Sequence, residues 1–213
     1  LQQLCNSLGL LEHSVSGVSV CGPGDLEVHR SEEDRRLYVL DFARLFPPDV
    51  PSKPGRSIFY QLLRPEFVRI YARSKEPLCS DAFSGWGKGD PGWRQHNEAV
   101  TQASCFLRTD QVVRLATTLD QHFKKLCESF NDFNHGMLLK QFNLLSVMAH
   151  EHGVNVRLLG LVRSSMQNAV GRSLLLAHLV FRAMKNFARE RLRKLLESLR
   201  VQFESPFKNA FLS

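Results

Sequence analysis

Near its C-terminus the sequence places Arg182, Lys185, Arg189, Arg193 and Arg200 at spacings of three, four and seven residues. At ~100° per residue on a helix these side chains fall within roughly 80° of arc. Clustered cations bind polyanions or acidic surfaces, and phosphate contacts supply affinity with little sequence choice. The arc holds no acidic member, whereas solvated charge faces, the other reading of the same residues, usually mix signs. Val180, Ala183, Met184, Phe187, Leu195 and Leu199 lie on the broad opposite arc. The helix is therefore expected to bury that apolar face and show a mostly cationic ridge. Arg191 in the apolar arc and Leu196 in the basic stripe are its exceptions. RNA is the leading partner, with an acidic protein surface as the alternative. A membrane surface fits less well, because the core is expected to engage the apolar face.

Other residues whose types invite chemistry do not assemble into a catalytic set. His150 and His152 stand two apart, which on a helix sends them to different faces, and no His-Glu-x-x-His arrangement exists. They read better as cations in a helix's last turn than as metal ligands. "GWGKGD" at 85–90 lacks the earlier glycine of a phosphate loop, since position 82 is Ala, and position 89 is Gly where Ser or Thr is required. "VLDFAR" followed by "PPD" lacks the glycine-rich loop, the His-Arg-Asp loop and the separation that a kinase needs. No catalytic residues, metal site or cofactor are expected, and enzyme activity is not supported.

The elements that must position these residues follow from composition and pattern. The 213 residues suffice for one large domain with a sizeable core, and 43% hydrophobic with 23% charged is an ordinary soluble balance. The net charge of +7 is local, because residues 163–200 hold nine bases and two acids while the remainder sums to zero. No apolar run is long enough to span a bilayer, so no membrane insertion is expected. The chain starts at Leu1 rather than Met, as a fragment of a longer protein would. Cysteines 5, 21, 79, 105 and 127 are odd in number and scattered, which argues against a disulfide framework and for a reducing compartment, the cytosol by default.

Leu1, Leu4, Leu8 and Leu11 predict a short amphipathic helix, and Gly22, Pro23 and Gly24 then break the chain. "LEVHR" and "RLYVLDF" across "SEEDR" predict an antiparallel hairpin, ended by Pro47, Pro48, Pro51 and Pro54. Tyr38, Leu40 and Phe42 would share one strand face, and Val39 and Asp41 the other. The pattern turns helical from Ile58, with Pro65 starting a fresh turn. Residues 76–93 read as a long loop folded onto the surface, its Trp86 and Trp93 packing on something. Helices follow over Gln95–Leu107 and Asp110–Glu128, the second capped by Thr109. After the polar break "SFNDFNHG", another ends near His152 with Gly153 as its left-handed stop. Asn155 caps a short helix, and a long one runs from Asn168 to Arg200.

Four stretches, in order, resemble the Clu domain of the clustered-mitochondria protein family. "LYVLDFARLFPPD" is similar to the family's Tyr-x-Leu-Asp-x-x-Arg-x-Phe-Pro-Pro-(Asp/Glu) signature, through Tyr38, Asp41, Arg44, Phe46, Pro47 and Pro48. "LLRPEFV", with Arg64, is similar to a second segment. "AHEHGVNVRLLGLVR" resembles a third through Asn155, Arg157 and Gly160, and "AHLVFRAMKNFARERLR" resembles the late helix. The likeness covers roughly residues 25 to 195. It implies a non-enzymatic cytosolic protein that governs mitochondrial distribution and associates with mRNAs for mitochondrial proteins. The residues outside the basic ridge are then expected to be structural. Asp41 and Arg44 are expected to be partly buried and paired, with Arg64 and Arg157 as further partners for Asp41. The expected architecture is a single α+β domain over 1–213, a small β-hairpin on a mainly helical body. Its oligomeric state is left open.

Overall fold

The computed structural model describes residues 2–51, 56–129 and 135–210. It is a mainly helical α+β structure, as expected, with small antiparallel ribbons near the N-terminus. Helix α1 (Gln2–Leu8) leads into β1 (Glu12–Val15) and β2 (Val18–Cys21), and then into β3 (Glu27–Arg30) and β4 (Leu37–Leu40). The β3–β4 hairpin was legible in the sequence, with Glu27 opposite Leu40 and Arg30 opposite Leu37. The β1–β2 hairpin was not foreseen. Its signal was present in the alternating "HSVSGVSV", whose Ser16 and Gly17 both take positive φ, as a two-residue hairpin turn requires.

Helix α2 (Pro65–Ser74) begins at Pro65, whose missing N–H is harmless in a first turn. The helical expectation from Ile58 holds only for a single 3₁₀ turn at Arg56–Phe59. The chain is not helical from Tyr60 to Arg64, where Leu62 bridges Pro48. Helices α3 (Trp93–Phe106) and α4 (Val112–Ser129) are one continuous rod, joined by a wide π turn at Leu107–Gln111. Thr109 therefore caps nothing, and its hydroxyl donates back to the Cys105 carbonyl at 3.1 Å. Much of the polar break after α4, at 130–134, and Pro54 lie outside the described residues.

Helix α5 (His135–Glu151) stops as the sequence indicates. Gly153 takes φ 69, its N–H donates to His150, and the Val154 N–H donates to Ala149 at 2.8 Å. The Asn155 side chain accepts from the Arg157 N–H and starts a 3₁₀ turn into α6 (Leu159–Ser165). Helix α7 (Ala169–Ala210) is longer than expected, at ~1.5 Å per residue a rod of roughly 60 Å. The core gathers Phe67 and Tyr71 of α2, Leu115, Leu119 and Phe123 of α4, Leu145 of α5, Val162 of α6 and Leu175 of α7.

Two expectations are corrected here. Residues 76–93 are only in part laid on the surface: Gly85, Trp86, Lys88, Gly89 and Pro91 are exposed, but Leu78, Cys79, Asp81, Ala82 and Ser84 are buried and the Leu78 backbone exchanges hydrogen bonds with Gly9 and Leu11. Cys5 and Cys21 form a disulfide that ties α1 to β2, against the reading of scattered free thiols, while Cys79, Cys105 and Cys127 are free. A 16-residue separation in sequence concealed a pair that the turn after α1 brings together.

Candidate functional site

Two sets of charged residues stand out, one inside the fold and one outside it. The inner set grows from the signature at 37–49. Burial alone would raise the pKa of Asp49, but Arg108 and Arg157 outweigh it and hold the carboxyl below the ordinary carboxylate range. Both oxygens accept from Arg108, at 2.9 and 2.8 Å, and Oδ2 also accepts from Arg157 at 2.7 Å. One carboxylate thus joins the proline-rich turn to the α3–α4 rod and to the turn after α5.

The second part of this network lies under β1. Arg44 is buried and donates through Nε to Asp25 at 3.0 Å, with Asp81 at 3.4 Å. Its guanidinium sits 4.5 Å from the Trp86 ring centre, so the loop tryptophan packs on a cation. Asp81 also accepts from His13 at 3.0 Å and from the Gly24 N–H at 2.7 Å. Burial pulls the pKa of His13 down, but Asp81 and Cys79 outweigh it and raise it to about 10. His13 is therefore an imidazolium at neutral pH, paired with Asp81.

The expected Asp41 pairing is overturned. Asp41 is exposed with φ 27, Arg44 pairs with Asp25 and Asp81, Arg157 pairs with Asp49, and Arg64 pairs with Glu66 at 3.0 Å. The strand ends at Leu40 and all four of its residues are exposed, so neither face of the hairpin offers Asp41 a buried partner. Phe46 packs against the core and Pro47 and Pro48 are buried, whereas Tyr38 is exposed and donates to Asp34 at 2.7 Å. Gly160 lies on the exposed side of α6. Sequence reasoning passed over Asp49, Asp81, Arg108 and His13. Of these only Asp49 carried a signal, as the final acid of the signature.

These charges face one another in pairs and triads, so their polar groups are taken up by structural contacts within the fold. His150 is half-buried, and its pKa is lowered by burial and by nearby Arg64 and Arg182. His152 bonds the Met148 carbonyl at 2.8 Å and lies 3.4 Å from the Thr118 hydroxyl. Among the described residues no three His, Cys, Asp or Glu side chains are placed to hold a metal. A shallow groove of ≈ 560 Å³ between α4 and the end of α5, lined in part by Gln111, Arg114, Glu151 and His152, brings together no nucleophile and base.

The outer set is on α7. Its buried stripe, Gly171, Leu175 and His178, continues at steps of four and three as Arg182, Lys185 and Arg189. The core stripe therefore becomes the basic ridge where the helix leaves the body. Burial lowers the pKa of His178, and Arg182, half-buried at that point, lowers it further. From Ala183 to Arg200 every residue is exposed, including Lys185, Arg189, Arg193 and Arg200. Lys185, Arg189 and Arg193 have no carboxylate within ion-pair distance among the described residues.

The apolar arc is not buried, contrary to expectation. Met184, Phe187 and Leu195 are 66%, 64% and 59% exposed, on the far side of the helix from Leu175. Spacing found both arcs correctly. It could not say which way the helix is turned, since that depends on where the body ends.

Among the described residues no helix is long and apolar enough to cross a membrane. Comparison with curated proteins and with solved structures gives no match. Comparison with family models gives two. Residues 141–213, which include α6 and α7, match the translation initiation factor eIF3 subunit 135 family. Residues 1–51, which hold most of the buried network's N-terminal partners and the whole 37–49 signature, match the Clustered mitochondria family, so the resemblance read from that signature is shown for this segment of the chain.

Proposed function

We propose that residues 1–213 form a single non-catalytic, RNA-contacting module of a clustered-mitochondria-type protein, one that acts in the cytosol on mitochondrial distribution and binds mRNAs for mitochondrial proteins. The observation that carries this reading is the projecting ridge. Lys185, Arg189 and Arg193 are exposed on one side of α7 with no carboxylate within ion-pair distance among the described residues, an arrangement suited to meeting phosphates. The families matched at either end of the chain are in keeping with it. Base selection is assigned no residues, since phosphate contacts position without specifying.

Binding of the purified chain to labelled single-stranded RNA across a salt series tests the reading. Each ridge cation lost should reduce the log–log salt slope by about 0.7. The triple exchange Lys185→Glu, Arg189→Glu and Arg193→Glu is expected to abolish binding while circular dichroism is unchanged. Unaltered RNA affinity in that variant overturns it.

A second reading, a protein-interaction scaffold without direct RNA contact, is favoured by the exposed apolar arc of the same helix. It requires partner capture that survives nuclease. The cytosolic placement rests on the family likeness alone, and the Cys5–Cys21 bond runs against it. Thiol titration of denatured protein taken from cytosolic extract under alkylation-trapping conditions should find five thiols if the placement is right, and three if the bond persists there.

A further inference from the structure

The apolar arc of α7 has a periodicity of its own. Phe181, Ala188 and Leu195 stand seven apart, and Met184, Arg191 and Ser198 stand seven apart three residues later, which is the a/d spacing of a coiled-coil seam with one cation and one hydroxyl in it. Phe187 and Lys194 flank this seam on one side, and Lys185, Leu192 and Leu199 on the other. Met184, Leu192, Leu195 and Leu199 are large, exposed and on the portion of helix that leaves the body, while Phe181 starts the seam at the body's edge, its half-exposed ring 6.0 Å from that of Phe142 on α5. With Phe187, Leu192 and Leu199 beside it, this seam gathers exposed apolar residues into one strip, where a solvated helix face normally scatters them singly.

Charge decides what covers it. Between Val180 and Arg200 there are seven bases and two acids, a net of +5. One of the acids, Glu190, is engaged by Lys194 of the same helix at 2.8 Å. Arg191 occupies a seam position and lies 5.6 Å from the Phe187 ring centre. Once the seam is covered, that guanidinium requires a carboxylate, because an unpaired buried charge is strongly unfavourable. A second copy of this chain in parallel register would set Arg191 against Arg191, and in either direction would bring +5 against +5. A net +5 stretch is poorly matched to a second +5 stretch, whereas an acidic partner helix supplies the carboxylate that Arg191 requires.

We infer that the exposed half of α7 is a docking surface for an acidic amphipathic helix of a partner protein. The partner's apolar residues fill the a/d seam, and an Asp or Glu meets Arg191. This occupant uses both sets of exposed residues at once, the apolar seam and the flanking cations, as helix-in-groove recognition does. An anionic bilayer would leave Arg191 in the middle of the inserted face. RNA would leave the seam uncovered. The inference does not depend on RNA binding, which uses the ridge.

The probe is a synthetic 21-residue amphipathic helix with Leu at its a and d positions, Glu at its flanks and one Glu in place of the Leu facing Arg191. Its binding to the purified 213-residue chain is read by fluorescence anisotropy. A matched peptide with Lys at the Glu positions is the control. The Glu peptide is expected to bind, and the Lys peptide to bind at least about tenfold more weakly. Met184→Gln with Leu195→Gln should weaken the Glu peptide by at least about tenfold, without changing RNA affinity. Arg191→Glu should narrow or reverse the preference between the peptides. Both substituted sets are exposed, so the fold is retained, which circular dichroism verifies. Equal affinity for the two peptides overturns the proposal, as does indifference to the seam substitutions. It is overturned equally by concentration-dependent dimerisation of the chain that excludes the Glu peptide, or by flotation with phosphatidylserine vesicles that the peptide does not compete away.

Discussion

Asp49 is the most consequential single residue of the signature, because it alone connects segments 59 and 108 residues away. Removing it leaves two partly exposed arginines without their carboxylate, so Asp49→Ala should lower unfolding free energy by about 1.5–3 kcal/mol in urea titration. Asp41→Asn, at an exposed site, should stay within about 0.5 kcal/mol of the parent protein. The pair of measurements separates the two acids of one motif. The same groups set the response to pH. The folded-state pKa values of Asp49 and Asp81 are depressed, so the stability they contribute is present above the ordinary carboxylate range and is lost as pH falls below about 4. His13 works in the opposite direction. Its folded pKa is raised to about 10, so its contribution is complete below its ordinary value of 6.5 and disappears as pH rises through about 10. Melting temperature followed from pH 3 to pH 10.5 should fall at both ends, and the alkaline fall should shrink in His13→Gln.

At the scale of elements, glycines show which helix ends are fixed by packing and which are free. Gly153 closes α5 with φ 69, and a Cβ there would come within 2.6 Å of the Phe67 backbone. Gly153→Ala should therefore cost about 2–4 kcal/mol, from left-handed strain and overpacking together. Gly160, on α6, would place its Cβ in open space, so Gly160→Ala should be neutral or stabilise by up to about 1 kcal/mol. Chemical denaturation of the two variants checks both signs. For α7, hydrogen exchange should divide the helix. Amides up to about residue 179 pack on α4, α5 and α6 and should be protected, while those from 184 to 200 lack tertiary cover and should exchange far faster. Bound peptide or RNA should slow the second group.

For the whole molecule, the charge distribution is the organising feature. The body neutralises its acids and bases internally, through Asp49, Asp81, Arg44 and their partners. The excess cations are carried outward on a helix that has run past the core. This is why increasing salt should weaken polyanion binding steeply and leave folding stability little changed, since exposed charges are screened far more than buried ones. Helix positions, the β3–β4 hairpin, the stop at Gly153, the cap at Asn155 and the two arcs of α7 were legible, because each rests on interactions within one or two helical turns or one tight turn. The side chains of 37–49 were legible as a family marker but not as contacts. A signature says which residues occur together, and it cannot say that Asp49 rather than Asp41 is the one turned inward. The sequence by itself determined what each segment is and that its last helix has one cationic and one apolar side. Only the tertiary structure decided which acid meets which arginine, that residues 78–82 of the 76–93 loop are buried, that Cys5 meets Cys21, and that the apolar side of α7 faces solvent. Those outcomes depend on groups brought together across tens of residues and on where the body ends, which no local pattern encodes.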